Sequence, residues 1–236
     1  MKEITRREFL SATAGALLSL PRAELFVGKE GEPKTTECPI FYFHEIWSSL
    51  NFNRFVMALL EEGFHPIRLS SLVTFLDTGE KRWPENKNPF IITFDDGLLT
   101  QKLNALPFLR ERKIPAVFAV MPQWRGDGVH RYMTNNDFKE LTELGMEVIC
   151  HTFNHPNLPR LRLVNPGAWE SEIIESKRAL EDIIGRPVEF FCYPYGAYDR
   201  ATIEVVPQYY KAALSTRAGT TQRSNELSIL PRARKS

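Results

Sequence analysis

Short apolar, β-prone runs alternate with amphipathic helical segments along about 200 residues of this chain. Residues 89–94 (Pro-Phe-Ile-Ile-Thr-Phe) have the strongest strand character, and residues 169–184, followed by Gly185, have the clearest helical periodicity. Strands and helices that alternate in this way form parallel sheets, because each helix returns the chain to the start of the next strand. The sequence therefore predicts an α/β fold with a parallel sheet, either open or closed into a barrel.

Seven strands and six helices are predicted. The helices cover 53–62, 70–77 with Ser70 as the N-cap, 98–113, 136–144, 169–184 and 201–209; the strands cover 39–44, 64–67, 89–94, 116–121, 146–150, 188–193 and 212–215. No internal repeat, low-complexity tract or linker divides residues 36–236, so we expect this range to form one domain.

The composition excludes several classes of protein. Of the 236 residues, 43% are hydrophobic and 25% are charged, which is typical of a globular domain and unlike a disordered or multi-span membrane protein. The formal net charge is +1, and without a basic excess we expect no binding to nucleic acid. The three cysteines, Cys38, Cys150 and Cys192, are too few for a disulfide scaffold. Free thiols are expected, with a disulfide between Cys150 and Cys192 after export as the alternative.

The first 25 residues differ from the rest of the chain. Arg6-Arg7 is followed by Phe9-Leu10 and by an uncharged stretch of 11 residues, 10–20, too short for a spanning helix of about 20. This pattern resembles a twin-arginine export signal, and it predicts contact with that export machinery, a short linker at 26–35, and a periplasmic or other extracytoplasmic location. An amphipathic N-terminal helix is the alternative, and the poor cleavage site leaves a membrane tether open.

Carboxylates and imidazoles follow two of the predicted strands. Asp95 and Asp96 come directly after residues 89–94, and Gly97 permits the backbone turn that would bring both carboxylates to one site. His151 and His155 follow the strand 146–150 and are spaced to face one ion. Two histidines and one carboxylate with an open position are typical of a catalytic metal site. A solvated turn and two ordinary histidines are the alternatives.

A third segment, residues 191–199, begins at the end of the strand 188–193 and contains Pro194, Tyr195 and Gly196. It is either a turn with aromatic packing or a wall of a substrate groove whose backbone amide stabilises an oxyanion.

Together these three segments resemble the successive motifs of the NodB-homology polysaccharide deacetylases, over roughly residues 36–232. The resemblance implies a single distorted (β/α) barrel of about seven parallel strands, with the site at the C-terminal ends of the strands. It also implies removal of N-acetyl groups from N-acetylglucosamine-containing polysaccharide. An O-acetyl esterase, a small-amide hydrolase and a non-catalytic glycan-binding module with the same fold are the alternatives.

The resemblance assigns a role to individual residues. Asp96, His151 and His155 would bind one divalent metal ion, zinc by preference, with cobalt, nickel or manganese as alternatives. Asp95 would be the general base, and the amide of Tyr195, after Pro194, would stabilise the oxyanion.

Two departures from the family pattern affect this assignment. Cys192 occupies the position where the family often has an Arg that orients the base, and Arg232 is the candidate replacement. No histidine follows His155, but residues 41–46 resemble an N-terminal motif of the biofilm poly-N-acetylglucosamine deacetylases, which would make His44 the catalytic acid. A buried structural role is the alternative for His44. Trp47 and Trp124 are candidates for stacking on sugar rings, with ordinary packing as the alternative.

Overall fold

The computed structural model describes residues 37–123, 131–219, 221 and 226–235. The predicted export signal at 1–25, the linker at 26–35 and Trp124 lie outside the described residues. Within the described part of the chain, no helix is both long enough and apolar enough to cross a membrane.

The described strands form one sheet in which every strand pair is parallel, in the order β7-β6-β5-β4-β3-β1-β8, with β2 paired beside β3. Seven strands lie on the main path, and the sheet curls into a distorted barrel, as predicted. The strands are β1 (Ile40–Phe43), β2 (Phe64–Pro66), β3 (Asn88–Phe94), β4 (Val117–Val120), β5 (Glu147–Cys150), β6 (Phe190–Cys192), β7 (Ala212–Leu214) and β8 (Ala233–Arg234).

The last segment of the chain links the two ends of this sheet. Leu230 forms a parallel bridge with Leu214 of β7, and three residues later β8 pairs with β1. Arg232 lies between these two pairings, so its Cα is located where the two ends of the sheet come together.

Eight α-helices connect the described strands: α1 (Ser49–Glu61), α2 (Leu69–Thr78), α3 (Leu99–Asn104), α4 (Leu106–Glu111), α5 (Asn135–Glu143), α6 (Leu158–Val164), α7 (Pro166–Ile184) and α8 (Arg200–Val205). The prediction of one helix over 98–113 was wrong, because α3 and α4 are separated at Ala105. Pro107 has no N–H to continue the hydrogen-bond ladder of α3, which accounts for the break.

The helix α2 begins differently from its prediction. Its N-cap is Arg68 rather than Ser70, and no side chain of its own caps it. Instead, the carboxylate of Glu147 on β5 accepts the backbone N–H groups of Leu69 at 2.7 Å and Ser70 at 2.9 Å. A carboxylate from another element therefore satisfies the free donors at this helix N-terminus.

The two faces of the sheet bury different sets of side chains. On one face, Phe90, Ile92 and Phe94 of β3 pack with residues of α1, α4, α5 and α7. On the other face, Ile91 packs with alternate residues of the neighbouring strands and with α2. Since most helices cover the first face, the second is the inside of the curl, and Thr93 and Asp95 continue the inward register of Ile91.

Candidate active site

The predicted site residues meet at one edge of the sheet. His44 follows β1, Asp95 and Asp96 follow β3, and His151 follows β5. Phe43 and Phe94, the last residues of β1 and β3, are register partners, so the residues after them lie side by side. The C-terminal ends of parallel strands thus bring together side chains that are far apart in sequence, as predicted.

Asp95 is buried and forms a bidentate ion pair with Arg232. Its side chain points inward, and the residue is only 2% exposed. The two terminal nitrogens of Arg232 donate to Oδ1 of Asp95 at 2.7 Å and to Oδ2 at 2.8 Å. The same guanidinium donates to Oγ1 of Thr93 at 3.1 Å and, through Nε, to the carbonyl of Ser215 at 2.9 Å. The structure therefore places Arg232 where it fixes the orientation of the Asp95 carboxylate.

Cys192 occupies the space beside this ion pair. Its sulfur is 3.2 Å from a terminal nitrogen of Arg232, and the ring of Tyr42 lies 4.5 Å from the guanidinium carbon. The side chain of Arg232, which lies one residue before β8, thus reaches Asp95 past the small thiol of Cys192. An arginine side chain, that of Arg232, therefore lies beside the Asp95 carboxylate although position 192 is a cysteine.

The ion pair determines the charge of Asp95. Burial raises the pKa of the Asp95 carboxyl, but the charge and hydrogen bonds of Arg232 outweigh burial and hold its pKa below the ordinary value. Asp95 is therefore ionised at neutral pH, which is the state that can accept a proton.

A left-handed turn separates the two carboxylates. Asp96 has φ of 74° and Gly97 has φ of 64°, so the chain leaves the strand geometry immediately after Asp95. The side chain of Asp96 is then directed toward His151 and His155, whereas that of Asp95 stays inside the curl. The turn predicted from Gly97 is present.

Asp96, His151 and His155 have the geometry of a metal-binding set. Oδ1 of Asp96 lies 3.5 Å from Nε2 of each imidazole. Ligand atoms around a tetrahedral zinc ion, with bonds of about 2.0–2.2 Å, are roughly 3.3–3.6 Å apart. Oδ1 is buried yet accepts no hydrogen bond from any residue that the structure describes. An unpaired buried carboxylate oxygen facing two imidazoles fits a divalent cation.

The tautomer of His151 agrees with this interpretation. Its Nδ1 lies 2.7 Å from the carbonyl oxygen of Cys192, and since a carbonyl only accepts, Nδ1 carries the proton. Nε2 is then the ring nitrogen that faces Oδ1 of Asp96 and that a metal ion would bind. Asp95 and Cys192 also lie near His151, but the guanidinium of Arg232 contacts both of them, so a metal ion at this second set would face a fixed positive charge.

His155 is a neutral imidazole at neutral pH. Burial, together with the nearby His151, lowers the pKa of His155 to about 4. A metal ion binds the neutral imidazole, so no proton has to leave His155 at neutral pH.

The loop that carries both histidines is fixed by two polar side chains. Oγ1 of Thr152 accepts the N–H of His155 at 3.1 Å. The buried carboxylate of Glu172, on α7, accepts the N–H of Phe153 at 2.7 Å and both the N–H and the side-chain amide of Asn154 at 3.0 and 2.7 Å. Glu172 therefore anchors the loop between the two imidazoles to the longest described helix.

His44 lies on the opposite side of Asp96. Its Nε2 is 4.0 Å from Oδ2 of Asp96, and its side chain is 39% exposed, so the imidazole borders solvent. The backbone at His44 is held by Gln101, a fully buried residue whose side-chain amide donates to the carbonyls of His44 at 2.9 Å and Asp95 at 2.5 Å. The carbonyl oxygen of the Gln101 side chain accepts the N–H of Leu98 at 3.2 Å. One side chain thus connects the ends of β1 and β3.

The segment after β6 forms a tight turn beside His155. Tyr195 has φ of 58°, and its ring packs edge-on against His155 with centroids 4.4 Å apart. A Cβ atom at Gly196 would lie 2.0 Å from Oγ1 and 2.5 Å from the backbone nitrogen of Thr216, so only glycine fits there. The Pro194-Tyr195-Gly196 turn is therefore set by close backbone packing against Thr216.

Backbone strain is concentrated at this site. Asp96, Thr152, His155 and Tyr195 are four of the five described non-glycine residues with positive φ, and the fifth is Lys113. Such conformations cost about 1–3 kcal/mol each and persist where surrounding contacts determine them. Their location in the three motif segments is typical of a functional site.

The polysaccharide deacetylase family model matches residues 83–212, more than half of the chain. The chain belongs to the polysaccharide deacetylase family. This confirms the resemblance inferred from the three motif segments. The family assignment also makes the chain an enzyme of the hydrolase class.

Two curated relatives have informative names. YxkH of Bacillus subtilis, whose name assigns it to the polysaccharide deacetylases, is 25% identical over 209 residues, covering 85% of this chain and 72% of the relative. A peptidoglycan-N-acetylglucosamine deacetylase of Bacillus cereus is 29% identical over 116 residues, which is 48% of this chain and 38% of the relative.

Solved structures of family members share the fold. The Streptococcus pyogenes deacetylase PplD, in complex with acetate, superimposes with a TM-score of 0.76 at 24% identity, covering 85% of this chain and 93% of its own. IcaB from Ammonifex degensii gives 0.73 at 20% identity, covering 85% and 92%. The BpsB deacetylase domain from Bordetella bronchiseptica gives 0.69 at 17% identity, covering 84% and 96%. These likenesses support the fold of the polysaccharide deacetylase domain.

Two residues of the site, Gln101 and Glu172, are absent from the sequence-based prediction. Both are polar residues within helical segments whose apolar neighbours face the core. A polar side chain on the buried face of a helix is the signal that identifies them.

Proposed function

We propose that this chain is a metal-dependent hydrolase that removes N-acetyl groups from N-acetylglucosamine-containing polysaccharide. The observation that carries the proposal is the unpaired, buried Oδ1 of Asp96 facing the Nε2 atoms of His151 and His155, beside the ionised Asp95. Family membership supports the reaction class, and the name of the Bacillus cereus relative supports the N-acetylglucosamine substrate.

The metal would be held by Asp96, His151 and His155, with zinc as the preferred ion and cobalt, nickel or manganese as alternatives. Imidazole nitrogen with a single carboxylate suits zinc, and three protein ligands leave a position open for water and substrate. A bound divalent cation supplies a polarised acetyl carbonyl and a water molecule with a lowered pKa.

Asp95 would act as the general base. Its carboxylate is ionised at neutral pH, and Arg232 fixes its plane. In the proposed reaction Asp95 takes the proton of the attacking water while the hydroxyl oxygen bonds to the carbonyl carbon of the acetyl group. The backbone amide of Tyr195, positioned by Pro194 and Gly196, would stabilise the negative charge that develops on the carbonyl oxygen.

His44 would act as the general acid. Breaking the carbon–nitrogen bond requires a proton on the leaving nitrogen, and the half-exposed imidazole of His44 lies across Asp96 from the other two histidines. Donation from His44 then yields a free amine and acetate. Gln101 would keep His44 and Asp95 at a fixed separation through their carbonyls.

The experiment that tests this function is an acetate assay on purified protein. Metal-stripped protein should release no acetate from tetra-N-acetylglucosamine, and release should return with one equivalent of zinc, cobalt, nickel or manganese. If the protein loaded with each of these metals releases acetate from no N-acetylated glycan, the proposal is wrong.

We also propose that the enzyme acts outside the cytoplasm. The proposal is supported by Arg6-Arg7, by Phe9-Leu10 and by the apolar stretch 10–20. It places the hydrolase where polymeric glycans of the cell envelope are accessible.

A further inference from the structure

One aromatic side chain, that of Tyr42, contacts groups on two sides of the proposed active site. Tyr42 is the third residue of β1, and its register partner on β3 is Thr93. Side chains alternate along a strand, and since Ile40 packs inside the curl, Tyr42 and His44 face inward as well. A buried aromatic ring therefore forms the inner wall where β1 reaches the site.

The ring of Tyr42 lies against the arginine that orients the proposed base. The guanidinium carbon of Arg232 lies over this ring, 4.5 Å from its centroid. The hydrogen bonds from Arg232 to Asp95 and to its other partners all act through the nitrogens, at the edge of the guanidinium plane. The ring instead contacts the central carbon, and a cation over an aromatic face is attracted to it. Tyr42 thus adds a restraint on Arg232 that the hydrogen bonds do not provide.

The same ring contacts the proposed acid. The rings of Tyr42 and His44 meet edge-on, with centroids 5.8 Å apart and planes at 66°. No residue in the described part of the chain forms a hydrogen bond with the buried Nδ1 of His44, and Nε2 is 4.0 Å from Asp96, beyond hydrogen-bond length. Gln101 holds only the backbone at His44. The direction of the imidazole is therefore set by packing, and Tyr42 supplies an aromatic ring for it.

We propose that Tyr42 is a positioning residue that fixes the proposed acid relative to the proposed base. Through Arg232 the ring acts on the carboxylate of Asp95, and by direct contact it acts on the imidazole of His44. Base and acid serve the same amide, so a contact shared by both keeps their separation constant. This inference rests on the proposed function, because the separation matters only if Asp95 and His44 transfer protons in one reaction.

The test separates the ring of Tyr42 from its hydroxyl group. Zinc-loaded wild type and variants are compared by steady-state kinetics on tetra-N-acetylglucosamine, and bound zinc is measured in each protein. Tyr42→Leu removes the ring, so kcat should fall about 10–100-fold with little change in KM and with zinc retained. Tyr42→Phe should keep most of the wild-type kcat, because both contacts are made by the ring.

Trp83→Leu is the matched control for the loss of a buried ring. Trp83 is 7% exposed and Tyr42 is 8% exposed, and Lys81 lies over the Trp83 ring at 5.7 Å. Trp83 packs against Phe75 of α2 and precedes β3, whereas the site residues follow the strands. Trp83→Leu should lower the unfolding free energy as Tyr42→Leu does, because both leave a cavity, but the kcat and KM of the folded protein should stay unchanged.

Several outcomes would overturn the positioning role. A wild-type kcat in folded Tyr42→Leu would show that the acid and the base need no shared contact. An equal loss of kcat in Tyr42→Phe would assign the effect to the hydroxyl group, and an equal loss in Trp83→Leu would assign it to general packing. Loss of zinc from Tyr42→Leu would make the ring a support of the metal ligands instead. If wild type releases acetate from no N-acetylated glycan with any metal, the proposed function itself fails.

Discussion

The guanidinium group of Arg232 binds both carboxylate oxygens of Asp95, at 2.7 and 2.8 Å, although 137 residues separate them in sequence. The contact exists because the last segment of the chain bridges to β7 at Leu230 and pairs with β1 at β8. The geometry of the proposed base therefore depends on the closure of the sheet.

Replacing Arg232 should change the pH dependence of the reaction. Arg232→Met removes the main influence that lowers the Asp95 pKa, whereas burial and the weaker effects of His151 and His44 remain. The pKa of Asp95 therefore rises relative to wild type, and the acidic limb of the kcat/KM profile moves to higher pH. The pKa of Asp95 is lower in the folded than in the unfolded wild-type protein, so the ion pair with Arg232 stabilises the folded state at neutral pH. This stabilisation is lost as the pH falls through the folded-state pKa. Breaking the pair should cost about 3–5 kcal/mol at neutral pH, and less in acid.

Arg186→Met is the control for this variant, because Arg186 is exposed and its loss should move neither the pH–rate profile nor the unfolding free energy. An Arg232→Met enzyme with a wild-type acidic limb would show that Arg232 does not set the charge of Asp95.

Gln101 should matter more for turnover than for substrate binding. Gln101→Leu leaves the carbonyls of His44 and Asp95 and the N–H of Leu98 without their partner, which costs about 1–3 kcal/mol for each group left unsatisfied. A shift of His44 relative to Asp95 should lower kcat about 10–100-fold, with a smaller change in KM. Steady-state kinetics with a folding check measures both effects. Gln208→Leu, at an exposed glutamine, is the control and should change neither value. A rise in KM without a loss of kcat in Gln101→Leu would show that Gln101 does not position His44 relative to Asp95.

Glu172 should control metal affinity without touching the metal. In Glu172→Gln an amide nitrogen replaces one acceptor oxygen and faces the donors of Phe153 or Asn154, so the loop with His151 and His155 loosens. The affinity for zinc should fall about 10–100-fold in a competition titration with a chelator. Glu175→Gln, on the exposed face of the same helix, should keep wild-type affinity. Unchanged zinc affinity in Glu172→Gln would remove this support role.

Replacing both residues of the arginine pair should block export. With Arg6→Lys and Arg7→Lys the charge is kept while the arginine pair is lost, so we expect the full-length protein to accumulate in the cytoplasm. Fractionation of cells that have the twin-arginine machinery measures this. Arg22→Lys, at the end of the same segment, should leave export unchanged, and normal export of the double variant would contradict the assignment.

The sequence predicted the parts of the fold that have a strong local pattern. The alternation of strands and helices was enough for β1 to β7 and for the helix that became α7, because periodicity and β-propensity are local properties. The strand β8 is two residues long and the turn of Arg232 into the sheet has no periodic pattern, so closure by the last segment could not be predicted locally. The helix α6 was also missed, although Asn157 caps it and Pro159 lies in its first turn.

Within the site, the residues that would react were predicted and those that support them were not. Asp95, Asp96, His151 and His155 stand in short motifs with recognisable chemistry. Gln101 and Glu172 act through contacts with backbone atoms of other segments, and no residue type or spacing specifies those partners in advance. Arg232 was predicted only indirectly, because the cysteine at position 192 indicated that an arginine from elsewhere in the chain had to orient Asp95.

The central claim is tested most directly by acetate release from tetra-N-acetylglucosamine by wild type, Asp95→Asn and His44→Ala, with the bound zinc of each protein measured after the same loading. We predict one acetate per hydrolysed amide for wild type, no detectable release for Asp95→Asn, and a loss of most turnover for His44→Ala with zinc retained in both variants. Wild-type turnover by zinc-loaded, folded Asp95→Asn would contradict the assignment of Asp95 as the base, and loss of zinc from His44→Ala would make His44 a ligand instead of the acid.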